Sequence, residues 1–237
     1  MPIHSRWKVP IAECGLPTFL FGPPDTSLPD QIAFYDADRP DTHFLTLESF
    51  RTWSQRFAAG LRNAGLQPGD RVLLFSGNNL FFPVVFMGVV MAGGVFTGAN
   101  PGFVARELAY QLKDSEAKFL VCGDASLQMA IEAAQSIGME KDRIFRFDET
   151  LFEGNGTSRL GVRNWTLLME SEDVGKRFKW HEPADPKDEV VCLNYSSGTT
   201  GVPKAVMITH YAYVANCTQF SHLSQLHPDE PERRKKA

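Results

Sequence analysis

The chain has 237 residues, 43% of them hydrophobic and 22% charged, with a formal net charge of −4. That is enough chain to bury a sizeable core without disulfides or a structural metal. The mild acidity excludes a general nucleic-acid binder but not a small anionic ligand, which needs only a local positive field.

The four cysteines, Cys14, Cys122, Cys192 and Cys217, form no Cys-x-x-Cys pair. They read as reduced thiols of a reducing compartment, not as disulfides or zinc ligands. The six histidines show no metal spacing either.

Residues 1–45 are rich in Pro and Gly, lack an apolar signal core and read as an irregular surface arm. A helix is expected from about Leu47 to Ala64, where Phe50, Trp53, Phe57 and Leu61 recur at three- and four-residue spacing and Gly65 can stop it. The turn Gln67-Pro68-Gly69-Asp70 leads into a strand over Arg71–Phe75. No charged residue lies between Arg71 and Arg106, so the apolar run Leu80–Val95 needs a membrane test. Pro83, Gly88, Gly93 and Gly94 interrupt it and no basic cluster marks its ends, so a buried helix over 80–91 followed by a strand over 95–97 explains it better than a span.

The alternation continues with a helix over 105–114, a strand over 118–122, a helix over 126–137 and a strand over 143–147. This rhythm predicts an α/β fold, a mostly parallel sheet with flanking helices. Residues 148–187 lose it. There Gly154-Asn155-Gly156 reads as a loop, Trp165–Glu170 as a short helix and His181–Asp188 as an acidic connector. A strand over Glu189–Asn194 then delivers the chain into its most distinctive segment.

Tyr195-Ser196-Ser197-Gly198-Thr199-Thr200-Gly201-Val202-Pro203-Lys204 holds four Ser/Thr hydroxyls, two glycines and a lysine in ten residues. Gly198 and Gly201 allow backbone angles that point successive N–H groups into one concavity. The hydroxyls add donors there, and Lys204 adds a compact positive charge suited to a polyphosphate. It is not a Walker A loop, because Val202 and Pro203 separate the second glycine from the lysine, and no G-x-G-x-x-G dinucleotide fingerprint follows any expected strand. The competing reading is a solvated Ser/Thr/Gly turn. Against it stand the apolar strands expected on both sides, Val190–Leu193 and Ala205–Ile208, and the helix expected from His210 to Leu223 with Thr209 as its N-cap. His210 reads as a helix-start residue, not a catalytic base.

This segment, with Ala-Val-Met-Ile-Thr-His after it, resembles the signature of the adenylate-forming (AMP-binding) enzymes. Gly65-Leu-Gln-Pro-Gly-Asp-Arg-Val72 is similar to that family's first strand region. Asn100-Pro-Gly with Glu107-Leu108 and Gln111–Lys118 resembles its acyl-CoA synthetase and 4-coumarate–CoA ligase branch. The resemblance implies ATP-dependent activation of an aromatic or fatty carboxylic acid as an acyl-adenylate, then thioester formation with coenzyme A. It implies that Ser196, Ser197, Gly198, Thr199, Thr200, Gly201 and Lys204 hold the β- and γ-phosphates, with Mg²⁺ sharing that task. No catalytic side chain or metal ligand is assigned within these residues.

One departure is Ala205, where the family often has glycine. The resemblance further implies that residues 46–237 are a partial AMP-binding domain ending in a charged connector, with the rest of the enzyme, including a C-terminal domain, absent. Exposed strand edges and apolar surface are then expected. The alternative is a non-catalytic short product that binds phosphate weakly or meets a partner; an adenylating module feeding a carrier protein fits the Gln111–Lys118 stretch less well. The compartment stays open between cytoplasm and peroxisome.

Overall fold

The structure, a computed structural model, describes residues 8–149, 151, 157–196 and 201–226. Its framework is set by β3 (Arg71–Phe75) and β5 (Ala117–Gly123), whose side chains alternate between two apolar layers. Val72, Leu74, Phe119 and Val121 enter one cluster, while Leu73, Phe75, Leu120 and Cys122 enter the other. A strand buried on both faces needs helices on both, which is the condition of a parallel sheet.

Among the described residues the sheet has seven strands in the order β7-β6-β5-β3-β4-β8-β9, comprising also β4 (Val95–Ala99), β6 (Ile144–Phe147), β7 (Arg163–Asn164), β8 (Val190–Ser196) and β9 (Lys204–Thr209). Every neighbouring pair is parallel except β8 with β9, which is antiparallel. Helices α2 (Leu47–Asn63) and α3 (Phe82–Met91) belong to the first layer, and α4 (Ala105–Asp114) and α5 (Leu127–Ser136) to the second.

Local signals explain these elements. The Thr46 side chain accepts from the Ser49 N–H at 3.1 Å and the Ser49 hydroxyl accepts from the Thr46 N–H at 2.8 Å, so α2 starts on a reciprocal cap. Phe50, Phe57 and Leu61 on α2 are buried, as their spacing predicts. The uncharged run resolves into α3 and β4, and among the described residues no helix is long and apolar enough to cross a membrane.

Two expectations are corrected. The arm is not wholly irregular: it forms α1 (Leu16–Phe21), and β1 (Ile32–Tyr35) pairs antiparallel with β2 (Phe44–Thr46). The helix expected over 165–170 is a single 3₁₀ turn, Trp165–Leu168, followed by a separate helix α6 (Glu172–Arg177). Tertiary bonds break it: the Glu170 N–H donates to the Arg56 carbonyl at 3.3 Å and the Glu170 carbonyl accepts from Arg56 Nε at 2.6 Å. The Ser171 hydroxyl then caps a new helix. The strand β7, which joins the sheet beside β6, has no counterpart in the periodicity. The loop at 154–156 and the last stretch of the charged connector, residues 227–237, lie outside the described residues.

The 3₁₀ turn lies against α2 at Gly60, where an added methyl carbon would stand 1.8 Å from the Leu168 carbonyl oxygen. No rotamer change relieves a clash with backbone. Gly60→Ala is therefore expected to destabilise the chain by roughly 3 kcal/mol, at the top of the usual overpacking range. Gly65→Ala, with open space around it but a φ of +95°, should cost about 1–2 kcal/mol. Urea denaturation of both variants checks the order, and equal losses would contradict it.

Candidate functional site

The distinctive segment begins on β8 and ends on β9, two strands that pair antiparallel. The ladder pairs Val190 with Thr209, Tyr195 with Ala205 and Ser196 with Lys204. Ser196 and Lys204 thus face each other across the mouth of the turn, one at the end of β8 and the other at the start of β9. Lys204 is exposed and makes no ion pair among the described residues. Gly201 has a φ of +82° with nothing within 4 Å of where a Cβ would be, a backbone state that glycine alone adopts freely. Ser197, Gly198, Thr199 and Thr200 lie outside the described residues, so the structure brings together Ser196, Gly201 and Lys204 of the predicted set.

The hairpin stands at the edge of the sheet. β8 bonds to β4 on its inner side, pairing Phe96 with Cys192 and Thr97 with Leu193, while β9 bonds to β8 alone among the described residues. Beside the turn, a cavity of about 330 Å³ is lined by Phe103, Arg106, Glu107, Tyr110, Tyr195 and Gly201, among others. The Tyr110 hydroxyl donates to the Pro203 carbonyl at 2.9 Å and the Tyr195 hydroxyl to Asp114 Oδ2 at 2.6 Å. Burial, then the nearby Asp114 charge, raises the Tyr110 phenol above its ordinary value. Burial followed by the hydrogen bond to Asp114 does the same for Tyr195. Both phenols therefore stay protonated donors at neutral pH. Sequence reading missed Tyr110 and Asp114, because a tyrosine on an amphipathic helix carries no sign of a partner 93 residues away.

Ala205 raises no difficulty. It occupies an ordinary ladder position opposite Tyr195, and only Glu116 and Leu160 among described non-glycine residues have positive φ. Burial pushes the Cys122 thiol up to about 12 and the Cys192 thiol up to about 11, so both stay protonated at neutral pH. All four cysteines are free. Among the described residues no group of three or more His, Cys, Asp or Glu could hold a metal ion.

A family model described as "AMP-binding enzyme" matches residues 25–234. The chain is 40% identical over 185 residues to acyl-CoA ligase azaF of Aspergillus niger, covering 76% of this chain and 34% of that protein. It is 39% identical over 168 residues to phenylacetyl-CoA ligase epaB of the same species, covering 71% and 31%. The chain thus spans about a third of the length of these curated relatives. Among solved structures, a red-emitting luciferase from Phrixothrix hirtus superposes with a TM-score of 0.75 over 92% of this chain and 51% of that one, at 20% identity, a likeness of fold.

His210 begins the helix after β9, α7 (His210–Gln225), as its sequence position suggested, and Thr209 caps it by accepting from the Ala212 N–H at 3.2 Å. The imidazole is buried, and its Nδ1 accepts the Leu16 N–H at 3.0 Å, fastening α1 of the arm. Burial lowers its affinity for a proton, against the opposing pull of Glu189 and Glu182. With the folded value below that of the unfolded chain, about 6.5, this contribution to stability is complete above that pH and is lost as pH falls through it. The protection factor of the Leu16 amide, its exchange rate compared with the intrinsic rate at the same pH, should therefore fall as the pH is lowered below about 6.5, and His210→Gln, whose amide oxygen can still accept, should flatten the response. A Leu16 protection factor that stays constant as the medium is acidified would contradict the assignment.

Proposed function

The chain belongs to the AMP-binding enzyme family, and from that premise we propose that it forms the phosphate-gripping part of an ATP-dependent acid–CoA ligase. The observation that carries this reading is the facing pair of Ser196 and Lys204 across a turn that contains Gly201 in a left-handed backbone state. A hydroxyl and an ammonium without an ion-pair partner among the described residues, at one end of a strand pair, suit an anionic oxygen cluster. The chemistry of the donors fits a polyphosphate.

In the proposed reaction, a carboxylate oxygen of an aromatic or fatty acid attacks the α-phosphorus of ATP. The bond to the bridging oxygen breaks and pyrophosphate leaves. The sulfur of coenzyme A then attacks the acyl carbon, its thiol proton is released and AMP departs. Ser196, Ser197, Gly198, Thr199, Thr200, Gly201 and Lys204 would hold the β- and γ-phosphates, orienting the nucleotide and stabilising charge on the leaving pyrophosphate. Magnesium, when bound, neutralises part of the same charge.

The acid pocket and acyl transfer are assigned to none of the present residues. The relatives with these activities are about three times as long as the matched region. The 237-residue chain is therefore expected to bind MgATP without catalysing ATP–pyrophosphate exchange with benzoic, cinnamic or fatty acids. Lys204→Ala should weaken MgATP binding about 10- to 100-fold, the loss of one charge-assisted contact, with far-ultraviolet circular dichroism unchanged. Calorimetric titration measures this; equal affinity in the variant would overturn the phosphate assignment, and robust exchange by the chain alone would overturn the division of labour.

A further inference from the structure

Helix α4 holds the β8–β9 hairpin at both ends of its turn. Tyr110 reaches the carbonyl of Pro203, the residue before Lys204, at 2.9 Å. Four positions along, on the same helix face, Asp114 accepts from the hydroxyl of Tyr195, the residue before Ser196, at 2.6 Å. Between them the buried Gln111 amide donates to Thr97 Oγ1 and to the Gly98 carbonyl, both at 3.0 Å. The Thr97 hydroxyl in turn donates to the Leu193 carbonyl of β8 at 3.0 Å. Thus one helix is locked in register on β4 and β8 by interior polar bonds, and from that fixed base it ties down both strand ends that carry Ser196 and Lys204.

These ties sit where they matter most for geometry. β9 is an edge strand with a single strand neighbour, and Val206 and Met207 on it are 52% and 71% exposed, so packing gives little lateral restraint. The Gln111–Thr97 bonds lie in the interior, where breaking them leaves unsatisfied polar groups, so the base of the clamp is stiff. The Tyr110 and Asp114 contacts are at its rim, where a lost hydrogen bond releases the hairpin without opening the core.

We propose that Tyr110 and Asp114 are positioning residues for the phosphate grip, setting where Lys204 and Ser196 stand through the Pro203 carbonyl and the Tyr195 hydroxyl. The proposal rests on the assignment of Lys204 to the phosphates.

The test uses the whole 237-residue chain with Tyr110→Phe, Asp114→Ala and Lys204→Ala, reading the MgATP dissociation constant and residue-resolved hydrogen exchange. Tyr110→Phe and Asp114→Ala should each weaken MgATP binding about 5- to 10-fold, the scale of one hydrogen bond. Exchange should quicken by a similar factor at Lys204, Ala205 and Val206, with no change at the core amides of β3 and α3. Adding Tyr110→Phe to Lys204→Ala should weaken binding no further, because there is then no ammonium left to place. Loss of affinity with Lys204→Ala but wild-type affinity in both tether variants would overturn the positioning role while keeping the phosphate reading. Faster exchange spread equally over the core would overturn it too, marking the ties as merely structural. No effect of Lys204→Ala would remove the phosphate reading and the positioning role with it.

Discussion

Strands β3 and β5 carry apolar side chains on both faces, and covering both is the requirement that arranges everything else. Val72, Leu73, Leu74 and Phe75 are all essentially inaccessible, as are Phe119, Leu120, Val121 and Cys122. Removing each large side chain from water contributes about 1.5–3 kcal/mol, so a register that exposed one face would forfeit several such terms together. Helices α2 and α3 therefore cover one face of the sheet and α4 and α5 the other. The chain winds outward from β3 in two directions, and the last pair along the chain, β8 and β9, is added at one margin. The candidate site lies at that margin, at the end of the β8–β9 pair where Ser196 faces Lys204.

A parallel sheet so thoroughly apolar tolerates polar side chains only where each is satisfied. Gln111 and Thr97 meet that condition by bonding to one another and to strand carbonyls. Their geometry is consequently more exacting than that of a leucine pair, since a shift along the strands would break hydrogen bonds and not just slide methyl groups. The interior polar link thereby fixes α4 along the strand direction, a restraint that apolar packing supplies only weakly.

Much of this was legible in the sequence, because the relevant signals were local. The periodicity of α2 is visible in Phe50, Phe57 and Leu61, the burial of β3 in an unbroken apolar run, and the candidate turn in its glycines and hydroxyls. The features that escaped notice depend on partners far along the chain. α1 is held by Glu182, which accepts from the Gly15 N–H at 2.6 Å and the Thr18 hydroxyl at 2.6 Å, and by His210, 194 positions from Leu16. Proline and glycine content in residues 1–45 says nothing of such contacts. Likewise, Trp165–Glu170 has helical spacing, and only the meeting of Glu170 with Arg56 stops the helix. Strand β7 is two residues long, too short to show a period. Of the seven predicted phosphate-binding residues, the placement of Ser196, Gly201 and Lys204 can be described, and their shared location follows from the ladder register, which the sequence does not print.

The two strands that present those residues are secured at opposite ends by unlike means. At the end remote from the turn, the His210 N–H donates to the Glu189 carbonyl at 3.0 Å and the Glu189 carboxylate pairs with His181 Nε2 at 2.5 Å. His181 itself is tied by its N–H to the Met91 carbonyl at the end of α3. At the turn end, the ties run to α4. The first set reaches the helical layer on one face of the sheet and the second set the layer on the other. A strand pair fastened to one face alone could still rotate about its long axis within the twist that sheets allow. Fastening it to both faces, at opposite ends, opposes that rotation with a lever arm equal to the strand length. The direction in which Lys204 projects is thus a property of the whole two-layer packing, and a substitution in either layer can alter it without approaching the turn.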